Sequence, residues 1–486
     1  EAQACTHRIA MALRAEQIGE GNKVAVYSPN HVLGFLAMMG IYRAGAVMVP
    51  INVKNAVDEN CYILQNTDVE WLFYHSSFEA LISEIRSSVP GIRGCICVDK
   101  AGDNAPSLES WCKDFTGCAE SLPEDPGRLT LLGATGGTTG RPKGVCLTNR
   151  CLETMVACYL ASMPCDQPST HLIVAPVTHA AGAVAWPLFT QGATQIMVDK
   201  ADPETIMQMI ERHKITHLFL PPTVIYLMLA HPKVRDYDYS SLKYFLYAAA
   251  PMSAEKLRQA IKIFGPVMVQ SYGQAEAPMF CTFLSVQDHL DALKPGNEHR
   301  LLSCGKTTPF ARVAIMDDEG NLLGRNAHGE IVVRGSLVMN GYYKNPEATD
   351  ESSAYGWHHT GDIGYIDDDG FVFIVDRKKD MIITGGFNVF PSEIEQVIWS
   401  HPNVQDCAVI GVPDEKWGEA VKAVIEVVPG KTISATEIIA LCKQKLGSVK
   451  TPKSVEVWET LPRSPVGKVL KKELRKIFWE HQERLV

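Results

Sequence analysis

A dense group of possible anion ligands lies at Leu131-Leu132-Gly133-Ala134-Thr135-Gly136-Gly137-Thr138-Thr139-Gly140-Arg141-Pro142-Lys143-Gly144-Val145, with five glycines, three threonines and an arginine–lysine pair. Glycines let backbone N–H groups turn toward one point with no Cβ in the way, hydroxyls add donors, and Lys143 adds a positive charge for the anion they surround. This is the composition of a phosphate cradle. It differs from a Walker A loop, because Lys143 follows Pro142 and precedes Gly144, and a short strand, Val145-Cys146-Leu147, follows in place of a helix. A second stretch, Val267 to Glu276, reads as a strand ending in Tyr272-Gly273-Gln274. It offers an aromatic face for a purine and, in Glu276, a carboxylate for a magnesium-bound triphosphate.

Taken in order from Gly133 to Lys468, these and later motifs resemble those of the adenylate-forming superfamily, which contains acyl-CoA synthetases, firefly luciferase and the adenylation domains of nonribosomal peptide synthetases. The resemblance covers nearly the whole chain. It implies that Thr135, Gly136, Gly137, Thr138, Thr139, Gly140 and Lys143 hold the ATP phosphates, and that Ala249-Ala250-Pro251 faces the adenine. Tyr272, Gly273, Gln274 and Ala275 would then lie along the nucleotide, with Ala275 where the family usually has threonine. The resemblance gives the ribose to Asp362 and Arg377, magnesium to Glu276 and adenylation to Lys468. A carboxylate such as Asp362 suits two ribose hydroxyls because it accepts two O–H donors at once. Lys379 becomes the hinge between domains, and Gly385-Gly386-Phe387 the loop that meets the pantetheine arm of CoA.

The carboxylate pocket is assigned by the same resemblance to His179, Ala180, Gly182 and Ala248. Amino-acid-activating relatives usually carry an aspartate near this turn; none stands beside His179, which disfavours an amino acid. The alanines Ala248-Ala249-Ala250 suggest a roomy apolar pocket for a fatty, alicyclic or aryl acid. The expected activity is that of an ATP-dependent carboxylate–CoA ligase using ATP, Mg2+ and coenzyme A. An acyl-AMP ligase loading a carrier protein and a nucleotide-binding regulator without turnover are the alternatives. Both lysines, Lys143 and Lys468, stand in place, and Asp376 to Pro391 runs without the insertion often found in carrier-protein ligases.

At 486 residues the chain exceeds one compact core and is expected to form at least two domains. The expected fold is α/β: a large N-terminal domain, 1–378, of layered α/β subdomains plus a β-rich subdomain, and a small mobile α+β domain, 379–486. Strands Val24–Tyr27, Ala46–Pro50, Trp71–Tyr74 and Cys95–Val98 alternate with helical patterns, as in parallel layers. Asn149 is expected to cap a helix, Leu218–Pro222 to form a strand, Asp362 to end one, and Leu470–Val486 to form an amphipathic helix. Glu1 falls inside a helical pattern, so the natural start is expected upstream.

A net charge of −9 with no lysine-rich tract argues against a nucleic-acid binder. No apolar run approaches the roughly 18 residues of a membrane span. The fourteen cysteines show no disulfide-framework or zinc spacing, and read as reduced core residues of a cytoplasmic protein, monomeric or homodimeric.

Overall fold

The computed structural model describes residues 1–103, 105–135, 141–165, 168–463 and 469–479. Gly136, Gly137, Thr138, Thr139, Gly140 and Lys468 lie outside the described residues.

In the first sheet β1 (Lys23–Tyr27), β2 (Val47–Pro50), β3 (Val69–Tyr74) and β4 (Gly94–Cys97) are parallel, connected through the helices Val32–Ala44, Val57–Asn66 and Glu79–Ser88. An antiparallel hairpin, β5 (Leu129–Ala134) with β6 (Gly144–Thr148), completes the order β4-β3-β1-β2-β5-β6. Strands covered on both faces need unbroken apolar runs, and side chains alternate between the two faces. Val24, Val26 and Phe73 accordingly join one core, while Ala25, Tyr27, Leu72 and Tyr74 join another.

The second sheet repeats the plan. β7 (Thr170–Ile173), β8 (Thr194–Met197), β9 (His217–Leu220), β10 (Tyr244–Tyr247) and β11 (Met268–Tyr272) are parallel, and β12 (Thr282–Leu284) and β13 (Lys306–Thr307) add an antiparallel edge. The order is β13-β12-β11-β10-β9-β7-β8. The expected strand through Pro222 stops at Leu220, because Pro222 opens the helix Pro222–Ala230, where its missing N–H has no partner to lose. Asn149 is likewise not a cap: Thr148 holds that position, and the Asn149 amide accepts from Thr130 and donates to the Asp125 carbonyl.

Four antiparallel strands, β14 (Arg312–Met316), β15 (Gly329–Arg334), β16 (His358–Ile366) and β17 (Val372–Arg377), form the third sheet. Asp362 lies in the middle of β16 and does not end a strand; it faces Arg377 across the pair, beside a register shift at Ile363/Gly364.

The remaining strands make the fourth sheet. They are β18 (Ile382–Thr384), β19 (Phe387–Val389), β20 (Val404–Asp414), β21 (Gly418–Val427) and β22 (Ser454–Trp458), with β22 parallel to β21. Ile382, Ile394, Val409, Val421 and Ile438 give it a core of its own. The final helix spans Lys471–Phe478 among the described residues and buries Leu474. All cysteines are free, most of them buried, and no helix among the described residues is long and apolar enough to cross a membrane.

Candidate active site

Three of the turns singled out above leave the same edge of the second sheet. β7 runs on to the His179 turn, β10 to Ala248–Pro251 and β11 to Gly273–Glu276, and β7, β9, β10 and β11 are successive neighbours. The carboxyl edge of a parallel sheet is where open α/β folds bind ligands. Gly273 is required there by close approach: a Cβ would stand 2.5 Å from the Met279 nitrogen and 2.7 Å from the Ala277 carbonyl oxygen. Ala249 takes φ 73°, a left-handed conformation costing on the order of 1–2 kcal/mol in an L-residue.

Asp362 organises the cluster that the resemblance gives to the ribose. It is 3% exposed, and its Oδ2 accepts from Tyr272 Oη at 2.6 Å and from Gln274 Nε2 at 2.9 Å. Oδ1 pairs with Arg377 Nε at 2.6 Å, and Gln274 Nε2 also donates to the Thr360 carbonyl at 2.7 Å. Burial and the adjacent Asp362 charge push the Tyr272 phenol well above its usual range, so it remains a donor. Tyr272 and Gln274 from the end of β11 and Arg377 from β17 thus meet at one carboxylate.

Thr135 and Lys143, on either side of the glycine-rich stretch expected to hold phosphate, bond to each other reciprocally. Thr135 N–H donates to the Lys143 carbonyl at 3.0 Å, and Lys143 N–H donates to Thr135 Oγ1 at 3.1 Å. The exposed Lys143 ammonium lies 4.8 Å from the Tyr342 ring centroid, and Tyr342 Oη donates to Glu276 Oε1 at 2.8 Å.

The His179 turn is the one expected to line the carboxylate pocket. His179 precedes the helix Ala180–Thr190, whose first turn contains Ala180 and Gly182, and its Nδ1 lies 3.0 Å from Thr178 Oγ1. Burial lowers the imidazole to about 4, so it is neutral near pH 7. Asn30, just past β1, fixes this turn from the other sheet. Its Nδ2 donates to the carbonyls of Val174, Ala175 and Val198, and its Oδ1 accepts from the Val177 N–H at 2.8 Å.

Lys379 sits in the short helical turn Lys378–Asp380 between β17 and β18, its ammonium lowered by burial. Around this turn lies a buried ionic cluster: Lys471 Nζ pairs with Glu395 Oε1 at 2.8 Å, and Arg475 pairs with Asp380 at 2.7 Å. Burial works against the Lys471 charge, but Glu395, Asp376 and Asp380 outweigh it and hold the ammonium above its usual range. Gly385 and Gly386 both have positive φ, and a Cβ on Gly385 would stand 2.6 Å from the Trp417 ring. Phe387 beside them is 60% exposed.

Residues 1–343 match the family model for AMP-binding enzymes, and residues 393–468 match the model for the AMP-binding enzyme C-terminal domain. The chain belongs to the AMP-binding enzyme family. Its relatives in that family include a medium/long-chain-fatty-acid–CoA ligase, FadD8, of Mycobacterium tuberculosis, 42% identical over 76% of this chain. That match spans 64% of the relative's own length. A feruloyl-CoA synthase of an Amycolatopsis species is 34% identical over 97% of this chain and 92% of its own. Among solved AMP-binding structures, the amide bond synthetase McbA of Marinactinospora thermotolerans superposes with a TM-score of 0.89, at 28% identity over 98% of this chain and 94% of that one.

Three residues that join these arrangements, Asn30, Tyr342 and Lys471, are not among those expected from sequence. Asn30 follows a parallel strand at its carboxyl end, a position that could have drawn notice. Tyr342 and Lys471 lie in polar stretches with no local signal.

Proposed function

We propose that the chain is an ATP-dependent carboxylate–CoA ligase, which forms an acyl-AMP with release of pyrophosphate and then passes the acyl group to the CoA thiol. The observation that supports this reading most is the convergence of Tyr272, Gln274 and Arg377 on the buried Asp362, on the edge shared with the His179 turn.

A carboxylate is a poor acyl donor because its leaving group would be oxide. Its oxygen therefore attacks the α-phosphorus of ATP while the bond to pyrophosphate breaks, and catalysis is mostly charge management and alignment. Asp362, Arg377 and Tyr272 fix the nucleoside so that attack is in line. Gly136, Gly137, Thr138, Thr139 and Gly140 surround the phosphates with Lys143, and Lys468 offsets charge between carboxylate and phosphate. The neutral His179 faces the acid without adding a charge, and Ala180, Gly182 and Ala248 leave room for an apolar body.

Glu276 is suited to Mg2+. It offers a hard oxygen ligand, half-buried, and among the described residues no group of three or more His, Cys, Asp or Glu could enclose a metal. That fits an ion taking most of its ligands from phosphate and water. The ion would neutralise triphosphate charge.

For the second half-reaction, residues 379–486 rotate as a unit against 1–378 about Lys379, bringing Gly385, Gly386 and Phe387 to the CoA arm. The thiolate attacks the acyl carbonyl and AMP leaves. The protein acts in the cytoplasm, as a monomer or homodimer, where free thiols persist.

The test is pyrophosphate release from a panel of fatty, alicyclic and aryl acids, with products identified by mass spectrometry in the presence of CoA, a carrier protein or an amine. Multiple turnovers to an acyl-CoA are expected. Turnover with only the carrier or the amine would reassign the acceptor, and no release with any acid would favour a regulator.

A further inference from the structure

Tyr342 stands between the two charged groups assigned to the phosphate end, and nothing in the reaction outlined above uses it. Its phenol has one proton, which goes to Glu276 Oε1 at 2.8 Å. The same ring presents to Lys143, whose ammonium lies 4.8 Å from its centroid. One side chain therefore touches a carboxylate that follows β11 of the second sheet and an ammonium that precedes β6 of the first.

The backbone around Tyr342 explains how it can do so. Met339 N–H donates to the Glu276 carbonyl at 2.7 Å, tying the segment to the β11 turn. On its other side, Cys146 N–H donates to the Gly341 carbonyl at 3.0 Å, Asn340 N–H to Cys146 at 2.9 Å and Tyr343 N–H to Gly144 at 2.8 Å, tying it to β6 as that strand leaves the glycine-rich loop. These bonds use only main-chain atoms. They hold the segment whatever side chain stands at 342, so the hydroxyl can be removed without dismantling the link.

We propose that Tyr342 is a positioning residue for adenylation, which orients the Glu276 carboxylate through its hydroxyl and holds the Lys143 ammonium through its ring. With Oε1 engaged, the rotation of the carboxylate is fixed and Oε2, which has no hydrogen bond among the described residues, faces its ligand in one orientation. A cation over a phenol ring is held firmly enough to bias a flexible lysine yet weakly enough to yield to phosphate. The inference rests on the reading of Glu276 as the metal-binding carboxylate.

The experiment uses Mn2+ as the probe, with binding followed by electron paramagnetic resonance on the full chain in the presence of ATP and without acid. Tyr342→Phe keeps the ring and loses the hydroxyl; partners one step behind a metal ligand are worth about 10- to 100-fold in affinity, so Mn2+ binding should weaken at least tenfold. In steady state the same variant should need more Mg2+ for half-maximal rate and recover most of its kcat at saturating Mg2+, which a general structural defect would not allow. Tyr342→Leu should add a several-fold rise in the KM for ATP, because Lys143 loses its support. Glu276→Gln is measured alongside. If Glu276→Gln weakens Mn2+ binding and Tyr342→Phe does not, the positioning role is wrong; if neither weakens it, the assignment of Glu276 itself falls.

Discussion

Tyr272 Oη donates to Asp362 Oδ2 at 2.6 Å, joining residues that lie 90 positions apart and on two different sheets. Neither side chain needs the other locally. The phenol ends β11, the carboxylate lies within β16, and only the packing of the second sheet against the third brings them together. Tyr272→Phe removes a hydrogen bond to a charged group, worth about 1.5–3 kcal/mol, and should weaken ATP binding by roughly 10- to 100-fold. Calorimetric titration with ATP checks this. Unchanged affinity would separate the Tyr272–Asp362 pair from nucleotide recognition.

Ala275 is exposed where the family usually has a hydroxyl. Ala275→Thr should retain or modestly raise the rate of acyl-AMP formation, since one added hydrogen bond to a charged group contributes about 3 kcal/mol at most. A loss of more than tenfold in a variant that still folds would mean that the site has been rebuilt around alanine.

Two substitutions should divide the two half-reactions in opposite senses. Lys379→Pro fixes φ near −65° and removes an N–H at the proposed pivot; it should form acyl-AMP at near-normal rate and pass it to CoA slowly. Lys468→Ala should abolish acyl-AMP formation and largely spare thioester formation from supplied acyl-AMP. Rates of the two steps, measured separately, decide. Equal losses in both steps for either variant would end the account of domain rotation.

Acid should destabilise the fold well above the usual carboxylate range. Burial lowers His171, His179 and His289 to about 4 and His217 to about 3. Between pH 6.5 and 4 the unfolded chain binds protons at these positions that the folded chain refuses, so stability falls as pH falls through that window and is fully present above it. Each group contributes a slope of about 1.4 kcal/mol per pH unit. Asp376 and Glu395, raised by burial, act in the opposite sense, so the imidazoles are read between pH 6.5 and 4 from the difference between the parent chain and His171→Gln. The melting midpoint should drop across that interval, and less so in His171→Gln. A midpoint that rises on acidification would contradict the burial of these imidazoles.

What could be read from sequence was whatever a local pattern specifies. Tyr244–Tyr247 is apolar, short and bounded, and it forms β10 with those ends. The glycines at 273, 385 and 386 marked turns because close approach or positive φ excludes other residues there. Asp362 stands out in the sequence by its type, but its place inside β16 does not, because a register shift in a nine-residue strand leaves no trace in its own sequence. Asn30 reaches partners 144 to 168 positions away, and Lys471 is buried only because Glu395, Asp376 and Asp380 gather around it. Such roles belong to the assembled sheets.

Phe387, 60% exposed, and Trp417, 43% exposed, stand together on the small domain, one flanking Gly386 and the other packed against Gly385. Aromatic carbon held in water orders solvent, and covering it lowers the heat capacity of the system. A rotation that presses these rings against the larger domain would carry a negative heat-capacity change, while one that leaves them in water would not. The temperature dependence of the CoA-binding enthalpy is therefore a gauge of which surface the small domain hides, legible without seeing either arrangement.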